Sequence, residues 1–316
     1  MWQAADQALW QGRVDSEEEQ PARRWHQMVQ ALPIDAARQT PGSVLLGFAC
    51  DAGVERNHGR AGAAGGPAAV RKWLPNLAWH QTRPMYDGGD VLCQGDALEA
   101  AQSELGTQVA AALAGGHRPL VIGGGHEVAW GSWQGLAAWA TTQPGQRVGI
   151  LNFDAHFDLR AGELSTSGTP FRQIADDCAA RSWPFRYACF GVSRPANTAA
   201  LFARAQALDA CWVEDDQLAP WQLASAQATL AGFLDQLDVL HLSIDLDVLP
   251  AANAPGVSAP AARGVELCVL EALIDQALAS GKVRLAELAE LNPSFDIDGR
   301  TARTAARLLE RIARGR

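Results

Sequence analysis

The chain has 316 residues, 48% hydrophobic and 19% charged, a balance that builds an ordered globule with a sizeable core rather than a disordered segment. A formal net charge of −9 leaves no basic footprint, which argues against nucleic acid or an anionic membrane as partner. No uninterrupted apolar run reaches the roughly eighteen residues of a membrane helix, and the opening MWQAADQALWQGRVDSEEEQ lacks the basic-then-apolar order of a secretory leader.

Residues 1–40 are polar and Trp-bearing and read as an N-terminal extension packed on one domain spanning 1–316, since no linker, repeat or low-complexity block divides the chain. The first predicted strand is SVLLGFAC (43–50), followed later by the helix LEAAQSELGTQVAAALAGG, which Gly115-Gly116 closes. RPLVIGGG (118–125), RVGILNFDAHFD (147–158) and RYACFGV (186–192) are the next strands, then the helix TAALFARAQAL. ACWVED (210–215) precedes the helix WQLASAQATLAGFLDQL, and DVLHLSIDLDV (238–248) precedes VELCVLEALIDQALASG. VRLAELAELN (283–292) and the helix RTARTAARLLERIARG close the series. Nearly continuous apolar strands alternating with helices predict an α/β fold: three layers, αβα, around a mostly parallel sheet of about eight strands. The six cysteines are scattered with no CxxC pair, and several sit in apolar runs, so reduced thiols and a cytoplasmic location are expected.

Sheets of this kind bind ligands at the carboxyl ends of their strands, and three predicted strands end in polar clusters there. RPLVIGGGHE runs through three glycines to His126; RVGILNFDAHFD ends on Asp154, His156 and Asp158 at alternate positions; DVLHLSIDLDV ends on Asp245 and Asp247. In extended chain, alternate side chains share a face, so four carboxylates and two imidazoles are expected at one point. Such a set resists shared ionisation without added positive charge. Mixed carboxylate and imidazole donors suit Mn²⁺ better than a structural Zn²⁺ site, although Fe²⁺ and Co²⁺ share these ligands. Six donors are too many for one catalytic ion with an open position, and two ions about 3.5–4 Å apart with a bridging water fit the count. GGGHE or DxD alone would read as a turn or cap. Together at strand ends they predict a hydrolase with two Mn²⁺ per chain.

The motifs GGGHE, DAHFD, SIDLDVLP and AELAELNPSFDID, in this order, resemble those of the ureohydrolases, the family of arginase, agmatinase and formimidoylglutamase. The resemblance covers roughly residues 40–316 and implies an arginase-like fold and a homo-oligomer, trimer or hexamer. It assigns His126, Asp154, Asp158 and Asp245 to one Mn²⁺, and Asp154, His156, Asp245 and Asp247 to the other. Glu290, before Asn-Pro, is implied to face a cationic guanidinium or amidinium.

Within the family, arginase and agmatinase carry a proton-shuttling histidine in the loop after DAHxD, where this chain has Ser167 in STSGTPFRQI. Serine cannot shuttle protons near neutral pH as histidine does, which leaves the amine-protonation step to another group, such as Asp158 or a metal-bound water. That loop, with GFACDAGVERNHGRAGAAGGP and APGVSAPAARGV, is similar to the formimidoylglutamase branch. The expected reaction is hydrolysis of N-formimidoyl-L-glutamate to glutamate and formamide in histidine degradation, by attack of a metal-bridging hydroxide on the amidine carbon. Alternatives are a urea-releasing guanidino hydrolase and a non-catalytic homologue. The substrate's two carboxylates call for donors in strand-end loops: Arg56, Asn57, Arg60, Arg172, Arg194 and Asn197 are candidates, with Arg60 and Asn197 preferred.

Overall fold

The computed structural model describes residues 1–15, 22–32 and 39–315. Its first half holds β1 (Trp2–Gln3), α1 (Trp25–Met28), β2 (Gln30–Ala31), β3 (Ser43–Ala49), α2 (Ala52–Arg56), α3 (Gly66–Arg71), β4 (Met85–Leu92), α4 (Leu98–Ala114), β5 (Arg118–Ile122) and α5 (Val128–Thr141). The second half holds β6 (Val148–Phe153), α6 (Pro170–Ala180), β7 (Tyr187–Val192), α7 (Ala199–Ala207), β8 (Cys211–Glu214), α8 (Leu223–Leu234), β9 (Val239–Asp245), α9 (Leu267–Ala279), β10 (Val283–Ala289) and α10 (Arg300–Arg314).

The strands form one sheet in the order β1-β4-β3-β5-β10-β9-β6-β7-β8, with β2 also on β4. Only β1 runs antiparallel; every other pairing is parallel. Parallel strands need helical crossovers, and these cover both faces. Side chains of α4, α5, α6 and α7 pack one core, and those of α3, α8, α9 and α10 pack the other. The predicted αβα architecture is the observed one. β5 and β6 are consecutive in sequence, yet β10 and β9 lie between them, so the strand order reverses at the centre of the sheet. A crevice opens at such a reversal. No described helix is long and apolar enough to cross a membrane.

Two features depart from the sequence-based expectation. The strands β5, β6 and β10 stop short of the polar residues assigned to their ends, at Ile122, Phe153 and Ala289, and β9 ends on Asp245, short of Asp247. Asp154, His156 and Asp158 therefore do not share a face by strand alternation. Instead the Asp154 carboxylate accepts from His156 N–H at 2.7 Å, and Asp245 does the same for Asp247 N–H at 2.8 Å. Each aspartate turns the chain out of the sheet through its own side chain.

The second departure is β4, which is not among the predicted strands and carries YDGGDV at its core. Asp87 and Asp90 are tolerated there because Arg71 of α3 reaches them. Its Nε and Nη2 each lie 3.0 Å from an oxygen of Asp87, and Nη1 lies 2.5 Å from Asp90. Trp10 of the N-terminal segment donates its indole N–H to the same Asp87 carboxylate at 2.9 Å, so the segment docks on the buried pair. Arg71 and Asp87 are both buried. Removing one partner of such a pair leaves an uncompensated charge. Arg71→Leu is expected to lower stability by about 3–5 kcal/mol in urea unfolding; a loss below about 1 kcal/mol would show that the pair is dispensable.

Candidate metal centre

Four adjacent strands, β5, β10, β9 and β6, deliver the functional side chains. Nδ1 of His126 lies 3.1 Å from Asp154 Oδ2, 3.0 Å from Asp158 Oδ2 and 3.1 Å from Asp245 Oδ2. Nδ1 of His156 lies 3.0 Å from Asp247 Oδ2 and 3.5 Å from Asp154 Oδ1. Donor atoms of His126, Asp154, Asp158 and Asp245 all fall within 4.8 Å of one another, as do those of Asp154, His156 and Asp247. Asp154 thus turns one oxygen to each group. All six predicted residues converge, with Asp245 in the first group and not the second.

The electrostatics of this cluster call for cations. Burial disfavours the charge on His126, but Asp154, Asp158 and Asp245 outweigh it and hold its proton well above the ordinary range. His156 follows the same logic, with Asp247 and Asp154 opposing burial. Asp245 is pushed well above the usual carboxylate range by burial and then by Asp247 and Asp154; burial also raises Asp158 and Asp247. Asp154 alone is lowered, because the two imidazoles beside it overcome its burial.

The tautomer of His126 tests whether a cation fits. Ser243 of β9 lies with its Oγ 2.8 Å from Glu287 Oε1 and 2.9 Å from His126 Nε2. An ionised carboxylate only accepts, so the single hydroxyl proton goes to Glu287 and His126 Nε2–H donates to Ser243. Once a cation displaces the second ring proton, Nδ1 is the lone-pair side. It is buried, faces three carboxylate oxygens and has no hydrogen-bond partner among the described residues. Such an atom, fixed from behind by a hydrogen-bonded partner, is suited to ligate a metal. The donor set fits a pair of hard divalent cations.

The sequence did not single out these supports. Ser243 and Glu287 sit inside apolar strands, and Asn152, which donates to Asp154 Oδ2 at 2.9 Å, sits inside ILNF. Polar residues at 0–1% exposure within a parallel strand were the available signal.

Glu290 is 5% exposed. Its Oε1 accepts the His126 N–H at 2.9 Å, while Oε2 is buried without a partner. Burial, and then Glu127, push its carboxyl up to about 8. Glu290 and Asp158 both adopt left-handed backbone, with φ of 69° and 47°, a conformation that costs non-glycine residues of order 1 kcal/mol or more. The glycine run before His126 has a steric reason: a Cβ on Gly124 would stand 1.6 Å from the Cys50 carbonyl oxygen.

Gly53, at the start of α2, links two loops of the site. Its N–H donates to the buried Glu127 Oε1 at 3.0 Å, and its carbonyl accepts from Ser167 N–H at 3.0 Å. The buried Ser167 hydroxyl accepts from Asn57 Nδ2 at 3.1 Å.

The remaining predicted residues divide. Arg60 donates to the carbonyls of Ser258 and Val257 and lies over the Phe295 ring at 3.9 Å, with no carboxylate partner among the described residues. Arg56 pairs with Asp96 and Glu99, Arg172 with Asp176, and Arg194 with Glu214. Asn197, one of the preferred pair, has its amide occupied by backbone: it accepts from Phe157 N–H and donates to the Ala155 and Ser193 carbonyls. It braces the DAHFD loop.

A model of the arginase family matches residues 42–314. A formimidoylglutamase of Ralstonia nicotianae is 56% identical over 314 residues, covering 98% of this chain and 96% of its own. That of Aeromonas hydrophila is 57% identical over 308 residues, covering 97% of each. Among solved structures, Trypanosoma cruzi formiminoglutamase with Mn²⁺₂ superposes with a TM-score of 0.76 at 28% identity, over 87% of this chain and 93% of that one.

The shared position of Asp154 makes a prediction about metal content. Asp154→Ala is expected to remove both divalent ions, whereas Asp158→Ala removes chiefly one, as counted by elemental analysis of the purified protein. Equal losses in the two variants would refute the bridging role. Loading should also release roughly one or two protons per chain at neutral pH, because cation and proton compete at His126 and His156. Affinity therefore rises with pH, and loading without acidification of a weakly buffered solution would contradict it.

Proposed function

The chain belongs to the arginase family, and from that premise we propose that it hydrolyses N-formimidoyl-L-glutamate to L-glutamate and formamide. The observation that carries the substrate is the likeness, over nearly the full length, to relatives named formimidoylglutamase. His126, Asp154, Asp158 and Asp245 would hold one Mn²⁺, and Asp154, His156 and Asp247, with Asp245 at the boundary, the other. Bound there, such a pair supplies concentrated positive charge and an acidified water near neutral pH.

The chain's own residues do the positioning. Glu290 is the partner of the cationic amidine: its free oxygen is buried, and an adjacent cation would keep the carboxylate ionised against the pull of burial. The amidine carbon gains a C–O bond, the C–N bond to glutamate breaks, and the leaving amine takes a proton. Ser167 cannot supply that proton near neutral pH, and its hydroxyl accepts from Asn57. Asp158, raised by burial and by Asp154, is the group suited to carry it. Ser167 and Asn57 instead shape the wall of the site. Arg60, held by two carbonyls and lacking a carboxylate of its own, is the best-supported partner for the glutamate carboxylates. Arg172 and Arg194 would have to leave Asp176 and Glu214 to take part. Six unpaired cysteines accord with work in the cytoplasm, in histidine breakdown, and a trimer or hexamer is the assembly expected.

The Mn²⁺-loaded protein should release formamide from formimidoylglutamate, and urea from arginine, agmatine or guanidinobutyrate at no more than about a hundredth of that rate. Urea release exceeding formamide release would overturn the assignment. Glu290→Gln is expected to lower kcat/KM by about 10- to 100-fold with metal content unchanged; an unaltered kcat/KM would remove Glu290 from substrate recognition.

A further inference from the structure

At the opposite pole of the sheet from the metal centre lies a cavity of about 520 Å³, where β5 and β10 begin and α10 ends. β10 separates the two regions: Val283 lines the cavity and Glu290 faces the site, seven residues or about 23 Å along an extended strand. Arg83, Arg118, Arg284 and Arg314 line the cavity, and no Asp or Glu is among its described lining residues.

Among the described residues these four guanidiniums are not neutralised as the other arginine clusters of the chain are. Arg314 alone has a carboxylate, Glu310, at 3.1 Å. Arg118 donates from Nη2 to the Ile312 and Ala313 carbonyls at the end of α10, and Arg284 donates to the Gly281 carbonyl. Neither they nor Arg83 form an ion pair among the described residues. The Nε of Arg118 is buried and has no partner there. Burial and the like charges of Arg83 and Arg284 depress Arg118 to about 10. A buried, unpaired donor beside mutually repelling cations is costly unless an anion completes it.

We propose that this cavity is a binding site for a small multivalent oxyanion of the phosphate class, either free phosphate or a phosphorylated metabolite. Guanidinium forks match tetrahedral oxyanions in pairs of charge-assisted hydrogen bonds, and several converging forks favour more than one negative charge. Such a ligand would join the start of β5 and β10 to the end of α10 and to the segment before β4. It does not depend on the substrate assignment, since none of the four arginines lies at the metal centre.

The test is calorimetric titration of the metal-loaded full chain with inorganic phosphate and with fructose 1,6-bisphosphate, against sodium chloride at matched ionic strength. Arg83 and Arg284 are exposed and hold no core contact, so Arg83→Gln/Arg284→Gln keeps the fold, which a melting curve checks. Saturable binding at one site per chain is expected, weakened at least about tenfold in the double variant. Tighter binding of the bisphosphate indicates a phosphorylated metabolite; equal binding indicates free phosphate. No heat beyond the chloride control overturns the proposal. So does binding that the double variant leaves intact, which would put the anion at the metal centre instead.

Discussion

Four aspartates and two histidines share one buried crevice, and the repulsion among those carboxylates is the constraint that organises the centre of this molecule. Burial and mutual repulsion raise Asp158, Asp245 and Asp247, while the aspartates hold two imidazoles charged against burial. The sheet makes the meeting possible. Its order reverses between β5 and β6, so four neighbouring strands end around one crevice. β6 and β9 each end where an aspartate turns the chain aside through its own carboxylate, and the same side chains face the crevice.

Behind the crevice the polar groups continue into the sheet. His126 leans on Ser243, Ser243 on Glu287, and Glu287 lies 3.0 Å from His241 Nε2. Ser243, Glu287 and His241 are fully buried in parallel strands. Buried polar groups are tolerated when they satisfy one another, and here they also orient the nitrogen presented to the crevice. The edge of Phe171 packs against the His126 ring at 5.3 Å and closes the remaining side. A ring held by a hydrogen bond behind and an aromatic beside it has little freedom to tilt.

Much of this was legible in the sequence, for identifiable reasons. Central parallel strands are apolar on both faces, so β3, β5, β6, β7, β9 and β10 stand out as continuous runs, and the polar residues at their ends mark the ligands. β4 did not stand out, because its Asp-Gly-Gly-Asp core depends on Arg71, sixteen residues before Asp87. Long-range compensation of that kind leaves no local trace. Asp154, His156 and Asp158 were expected to converge and do, but turns rather than strand alternation unite them. Substrate-facing arginines were the least legible. Arg60 and Arg194 look alike in sequence, and only the carboxylate of Glu214 beside one of them separates their roles. Asn197 looked like a ligand contact, yet its amide ties two backbone groups of the DAHFD loop to the Ser193 carbonyl after β7.

Gly53 joins parts that a modular view would keep separate. One of its backbone groups grips the glutamate that follows His126, and the other grips the serine that sits beside Asn57. Nor is there room to loosen the joint, since a Cβ on Gly53 would meet the Glu127 carboxyl carbon at 2.4 Å. The Ser167 loop is therefore latched to the His126 loop through a single residue. A backbone shift in either loop is carried to the other, so the two cannot move independently while both hydrogen bonds hold.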